Sequence, residues 1–175
     1  LGNLLNRTLP LVVKYSQGRV PSPEKTTSQD NELKEKINKL PSFIDNFMRE
    51  LSFSQALSAI WEVVRNTNLY LDRCAPWKLA KNGEKQRMNT VLYNVLETMR
   101  ILSIILFPFI PQGAEKIWRQ LGMEDDIKEQ GIKDTEWGKL PVGKEVKKGA
   151  PIFPRIEEED FYETEGETSA PSGSA

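Results

Sequence analysis

The sequence predicts an all-α fold, an antiparallel bundle of about five helices with an irregular C-terminal arm, and two observations carry that expectation. Apolar residues return at three- and four-residue intervals through roughly the first 120 positions, the period of one helix face and not the alternation of a half-buried strand. Between these stretches stand the residues that stop helices, at Gly18 to Pro23, Pro76, Gly83, and Pro108 with Pro111. The chain has 175 residues, enough for one such domain with trailing extensions.

From Leu1 to about Tyr15, Leu1, Leu4, Leu5, Leu9 and Val12 share one side of a helix, while Asn3, Asn6, Arg7, Pro10 and Lys14 gather on the other. Pro10 lies on the wet side, so a solvent-facing kink is expected and not a break. The second helix runs from about Asp30 to Leu51 on Leu33, Ile37, Leu40, Ile44, Phe47 and Leu51, and Pro41 predicts a kink or a division into two. Ser52 followed by Gln55 is a capping-box spacing. It starts a third helix at Phe53 that continues to about Cys74 on Phe53, Leu57, Ile60, Val64 and Leu71, and Pro76 ends it. Residues 77–82 read as a turn closed by Gly83. The fourth helix carries the longest stripe, Met88, Leu92, Val95, Met99, Leu102 and Leu106, and the fifth uses Ala114, Ile117, Trp118 and Leu121 before Gly122.

Periodicity ends there. Glycines and prolines divide residues 123–155 into short extended pieces, with Val142, Val146, Ile152 and Phe153 available as anchors. The expected organisation is a helical domain over 1–122, an arm over 123–157, and an acidic then Ser/Gly-rich linker or tail over 158–175. The formal charge of −1 averages unlike pieces: seven acids and no Lys or Arg lie in residues 156–175, and setting those aside leaves the rest at +6. A mildly basic body suits an anionic partner such as nucleic acid.

With no histidine, the chain builds no Ser-His-Asp triad, no Cys-His pair and no imidazole zinc site. Its single cysteine, Cys74, excludes an intrachain disulfide and a CxxC motif, and points to a reducing compartment, the cytoplasm. No Gly-rich phosphate loop occurs. Asp125, Asp126 and Glu157 to Asp160 read as solvated charge. This chain by itself is expected to catalyse nothing and to carry no metal or cofactor. No apolar run approaches the roughly 18 residues that span a bilayer, and no membrane partner is expected.

Binding features remain. Asn3 and Arg7, four apart on the polar side of the first helix, offer the donors and acceptors that read exposed base edges, or else form an ordinary solvated face. Ala75-Pro76-Trp77 places a large aromatic at a rigid corner, either to stack on an unstacked base or to fill the core. Asn68 falls on the apolar stripe, where its amide must fasten backbone. Tyr70, Asp72, Trp61 and Trp118 read as scaffold.

Together the strings Leu1-Gly2-Asn3-Leu4-Leu5-Asn6-Arg7, Asn68-Leu69-Tyr70, Ala75-Pro76-Trp77-Lys78-Leu79-Ala80-Lys81, Leu106 to Pro111, Lys116-Ile117-Trp118, Leu121-Gly122 and Pro151 to Glu157 resemble, in order, the anticodon-binding domain of methionyl-tRNA synthetases. The resemblance covers about residues 1–157. It implies a class I synthetase helical domain that holds the CAU anticodon loop of methionine tRNA. Asn3 and Arg7 would contact anticodon bases, Trp77 would stack on the first of them, and Asp72 and Pro76 would support the tryptophan corner. Asn68 also matches a recurrent position, and Lys14 and Lys78 are possible phosphate contacts. The ATP and methionine site would lie upstream in a catalytic domain, onto which the arm is expected to fold, and a dimer would form only through a further C-terminal module. Two alternatives stay open: the anticodon domain of a related class I synthetase for isoleucine, valine, leucine or cysteine, and a helical protein-interaction module that binds no RNA.

Overall fold

The computed structural model describes residues 1–154. The expected tail over 158–175, and the Arg155-Ile156-Glu157 end of the arm, lie outside the described residues. Among the described residues six helices follow one another: α1 (Gly2–Ser16), α2 (Ser28–Arg49), α3 (Phe53–Cys74), α4 (Pro76–Lys81), α5 (Lys85–Leu106) and α6 (Pro111–Gln120). Two single-turn 3₁₀ segments, Ile127–Glu129 and Ile132–Thr135, begin the arm.

α5 is the axis of the bundle. Each of the other five helices packs on it, and every residue from Arg87 to Leu106 is buried, polar ones included. The stripes on α1, α2 and α3 bury Leu4, Leu5, Leu9 and Val12, then Leu33, Ile37, Leu40 and Ile44, then Ile60, Val64 and Leu71, into one core. Burying a leucine or isoleucine contributes about 1.5–3 kcal/mol, so this shared core is what makes the individual helices stable.

Four local expectations are corrected. Pro41 neither breaks nor divides α2, which runs unbroken past it and keeps Leu40 and Ile44 in the core. Ser52 and Gln55 form no capping box: Leu51 turns the chain at φ 55°, which directs the Ser52 N–H onto the Phe47 carbonyl at 2.8 Å, so the donor Gln55 would need is already taken. Residues 76–81 form a helix and not a turn, because Pro76 sits at the first helical position, where its fixed φ and missing N–H cost nothing. Phe53, expected in the third stripe, is exposed.

The arm lies on the bundle itself, held by a charge pair inside α5. Glu97 is 0% exposed and Arg100 2%. Arg100 donates to both Glu97 carboxylate oxygens at 2.8 Å and to the carbonyls of Asp134 and Glu136 at 2.8 and 2.7 Å. Glu97 also accepts from the backbone N–H groups of Gly138, Lys139 and Leu140. Farther on, the arm pairs with the α1–α2 loop: the Val20 N–H donates to the Lys144 carbonyl at 2.8 Å and the Gly143 N–H to the Val20 carbonyl at 2.8 Å, around an Arg19–Glu145 bridge. Gly122 permits this approach. Its φ is +83° and an added Cβ would lie 2.1 Å from the Glu145 carbonyl oxygen. Val146 and Ile152 are buried anchors as expected, whereas Val142 and Phe153 are not.

Glu97→Ala would strand a buried guanidinium and release three backbone donors, so we expect a loss of about 3–5 kcal/mol in urea denaturation. Limited proteolysis should then open the chain first between residues 138 and 150.

Candidate nucleic-acid interface

The polar side of α1 and the α3–α4 corner meet. Asn3 and Asn6 are exposed on α1, and Arg7 between them and the bundle is half-buried. One Arg7 guanidinium nitrogen donates to Asp72, 65 residues later in the last turns of α3. The Arg7 and Asp72 side chains are 34% and 53% exposed, and solvent screening limits such a pair to about 0–1 kcal/mol. Its consequence is orientation, because one edge of the fork is fixed and the rest remains available to a ligand.

Three residues beyond Asp72 the chain turns at Ala75, which adopts a left-handed conformation (φ 42°) without being glycine, at a cost of about 1–2 kcal/mol. Pro76 is buried and starts α4, which also packs against α1. Trp77 follows, half-buried, with its inner part against the core. It is neither wholly core nor a free surface ring. Lys78 is exposed beside it, and Lys14 is exposed at the far end of α1 with its ammonium 5.1 Å from the Tyr15 ring centre. Asn68 lies one turn before Asp72 on α3. It is half-buried, and its amide donates to the Val64 carbonyl at 2.9 Å, so it fastens backbone as expected, while the fully buried polar residue on that turn is Thr67. Trp118 is core, with its indole N–H on the Asp125 carbonyl, but Trp61 is 39% exposed.

Beneath the corner lies a polar network that the sequence pattern did not reveal. Asp30, in the first turn of α2, accepts from Arg87 at 2.9 Å on both oxygens, from the Asn94 amide at 2.9 Å, from the Tyr70 hydroxyl, and from the Thr27 N–H at 2.6 Å. The second Arg87 nitrogen donates to the Cys74 sulfur at 3.4 Å, immediately before the Ala75 turn. Burial acts to raise the Asp30 pKa, but the hydrogen bonds from Tyr70, Thr27 and Arg87 outweigh it and hold the carboxyl below its ordinary value of 3.8. Burial, and the hydrogen bond to Asp30, push the Tyr70 hydroxyl well above its usual range, so it stays a donor. Burial likewise raises the Cys74 thiol, which remains protonated and inert. The available signals were Asp30 at the third position of a helix and the polar residues interleaved along α5.

Comparison with known proteins gives this surface a family. A family model described as the anticodon binding domain of methionyl tRNA ligase matches residues 20–170. The chain belongs to this family. The anticodon-binding domain is 39% identical over 160 residues to the methionine–tRNA ligase of Caldanaerobacter subterraneus, covering 91% of this chain and 25% of that one. It is 36% identical over 162 residues to that of Bacillus subtilis, with 91% and 24% covered. The apo methionyl-tRNA synthetase of Mycobacterium tuberculosis superposes with a TM-score of 0.82 at 29% identity, over 90% of this chain and 32% of that one. The chain thus spans about a quarter of the length of the curated relatives it matches. Asp72, Pro76, Trp77 and Lys78 lie inside the matched residues, and Asn3, Arg7 and Lys14 lie before them.

Since the Asp30 pKa is depressed by folding, its contribution is complete above the ordinary carboxylate value and is lost as pH falls through the lower folded value. Asp30→Asn should therefore destabilise the domain by about 3–5 kcal/mol at neutral pH, leaving Arg87 without its partner. It should also flatten the acid limb of stability below pH 3.8, as measured by urea denaturation across pH.

Proposed function

We propose that this domain reads the CAU anticodon of methionine tRNA for a methionine–tRNA ligase. The observation that carries the reading is the Arg7–Asp72 contact, which sets the polar side of α1 beside the tryptophan corner although the residues are 65 apart in sequence. An unstacked RNA loop presents base faces and Watson–Crick edges. Trp77, held at its base by the core and open at its outer part, stacks on the first anticodon base. Asn3 and the free donors of Arg7 hydrogen-bond to base edges, and Asp72 keeps the guanidinium turned toward them. Pro76 fixes the direction in which α4, and with it the indole, leaves the end of α3, and Asn68 stiffens the helix leading to it. Lys14 and Lys78 flank the face and meet the phosphate backbone, with an affinity that falls as salt rises.

In this reading the chain selects the tRNA, and the joining of methionine to it with ATP takes place in the catalytic part of the whole enzyme, in the cytoplasm. That catalytic part is the second partner of the domain. Any dimer forms through a C-terminal module beyond the anticodon-binding unit.

Titration of the chain with anticodon stem-loops tests the reading. A CAU loop should bind more tightly than loops altered at the first base, and Trp77→Ala should remove about 1–3 kcal/mol of binding, the worth of one stacked base, while the helical circular dichroism is retained. Equal affinity for CAU and altered loops would refute it, and an unfolded Trp77→Ala protein would assign the indole to the core.

A further inference from the structure

Two helical glycines sit under one aromatic ring. Gly2 is the first residue of α1 and Gly113 the third of α6, positions with helical backbone where a side chain would ordinarily be accepted. Neither has the positive φ that would require glycine. What they share is Phe153. A Cβ on Gly2 would come within 3.2 Å of the Phe153 ring, and one on Gly113 within 3.4 Å of the same ring's far edge and of Ile110. The ring therefore fills the space that the two missing side chains leave, spanning the starts of α1 and α6.

The ring is fixed from its own side as well. Ile152 before it is 3% exposed, the Gln120 side chain donates to the Ala150 carbonyl at 3.1 Å, and Gly149 lies against that same glutamine. Upstream, the Glu97–Arg100 pair holds the other end of the arm. Phe153 itself is 52% exposed, too open for its contacts to be a large part of the hydrophobic core. Its neighbour in α1 is the residue before Asn3.

We propose that Phe153 is a positioning residue for RNA recognition: by occupying the space beside Gly2 that a side chain would fill, it fixes the first turn of α1 and with it the direction of the Asn3 side chain. This rests on the anticodon-reading assignment of Asn3. It extends the reading surface to the arm, 150 residues along the chain from the side chain it orients. Whatever displaces Phe153 is thereby felt at Asn3, while Trp77, on α4 and packed against the core, has no contact with that ring to lose.

The test is a pair of double-mutant cycles on CAU stem-loop affinity, Phe153→Ala with Asn3→Ala and Phe153→Ala with Trp77→Ala. Phe153→Ala alone should weaken binding by about tenfold, the scale of one misplaced hydrogen-bonding side chain. Combined with Asn3→Ala it should add no further loss, and combined with Trp77→Ala it should add its full loss. Gly2→Ala, which improves helix propensity but crowds the ring, should reproduce the Phe153→Ala phenotype. Additive losses with Asn3→Ala, or a Gly2→Ala protein that binds like wild type, would overturn the proposal. If Asn3→Ala itself leaves binding unchanged, the anticodon reading of Asn3 is what fails. Amide exchange at Leu5, Asn6 and Arg7 then decides the mechanical claim alone: faster in Phe153→Ala supports it, and unchanged overturns it.

Discussion

The α3–α4 corner is tied to one buried carboxylate. Asp30 is buried with Arg87 against it, and an ion pair taken out of water is stable only when its remaining lone pairs and protons are satisfied. Here Tyr70, Asn94 and the Thr27 N–H complete the set. Those groups come from the start of α2, the last turns of α3 and the first half of α5, so satisfying the charge requires the three helix segments to meet in one way. The same guanidinium reaches Cys74, the last residue of α3 before the chain reverses at Ala75. The corner that presents Trp77 is thus attached to a buried, fully bonded ion pair. A purely apolar contact would tolerate small slides of α3 on α5, and a fully bonded carboxylate does not.

A second buried pair, Glu97 with Arg100, applies the same logic to the arm. An irregular segment has no repeating backbone hydrogen bonds of its own, so its N–H and carbonyl groups need partners. Three of its N–H groups find the Glu97 carboxylate and two of its carbonyls find Arg100. α5 therefore serves as a core helix at its apolar positions and as a template for non-helical chain at its polar ones. This explains why it is buried all round although its pattern reads as a single stripe.

Much of the fold was legible because helix faces are local. Leu4, Leu5, Leu9 and Val12 belong together by spacing alone, and Gly83 and Gly122 mark turns by their conformational freedom. Long-range constraints were not legible in that way. Pro41 reads as a kink or a division because propensity counts the lost hydrogen bond, and the division does not occur because burial of Leu40 and Ile44 outweighs it. The Ser52–Gln55 box reads as formed because the competing Phe47 carbonyl is placed by a backbone reversal at Leu51. In the site, Asn3, Arg7 and Trp77 were visible as suitable chemistry on a helix face and at a corner, but nothing local announces that Asp72 holds Arg7. Asp30, Tyr70, Arg87 and Asn94 are ordinary residues until three helices bring them together.

The most direct test of the proposed binding face uses the chain's own tryptophans. Trp61, Trp77, Trp118 and Trp137 give the chain four indole N–H groups in distinct settings. In a nitrogen-15 NMR titration with a CAU stem-loop, the account predicts that the Trp77 indole, the Asn3 side-chain amide and the Arg7 guanidinium shift together and saturably while the other three indoles hold still. Shifts centred on Trp61 or Trp137, with Trp77 and Asn3 unmoved, would contradict it.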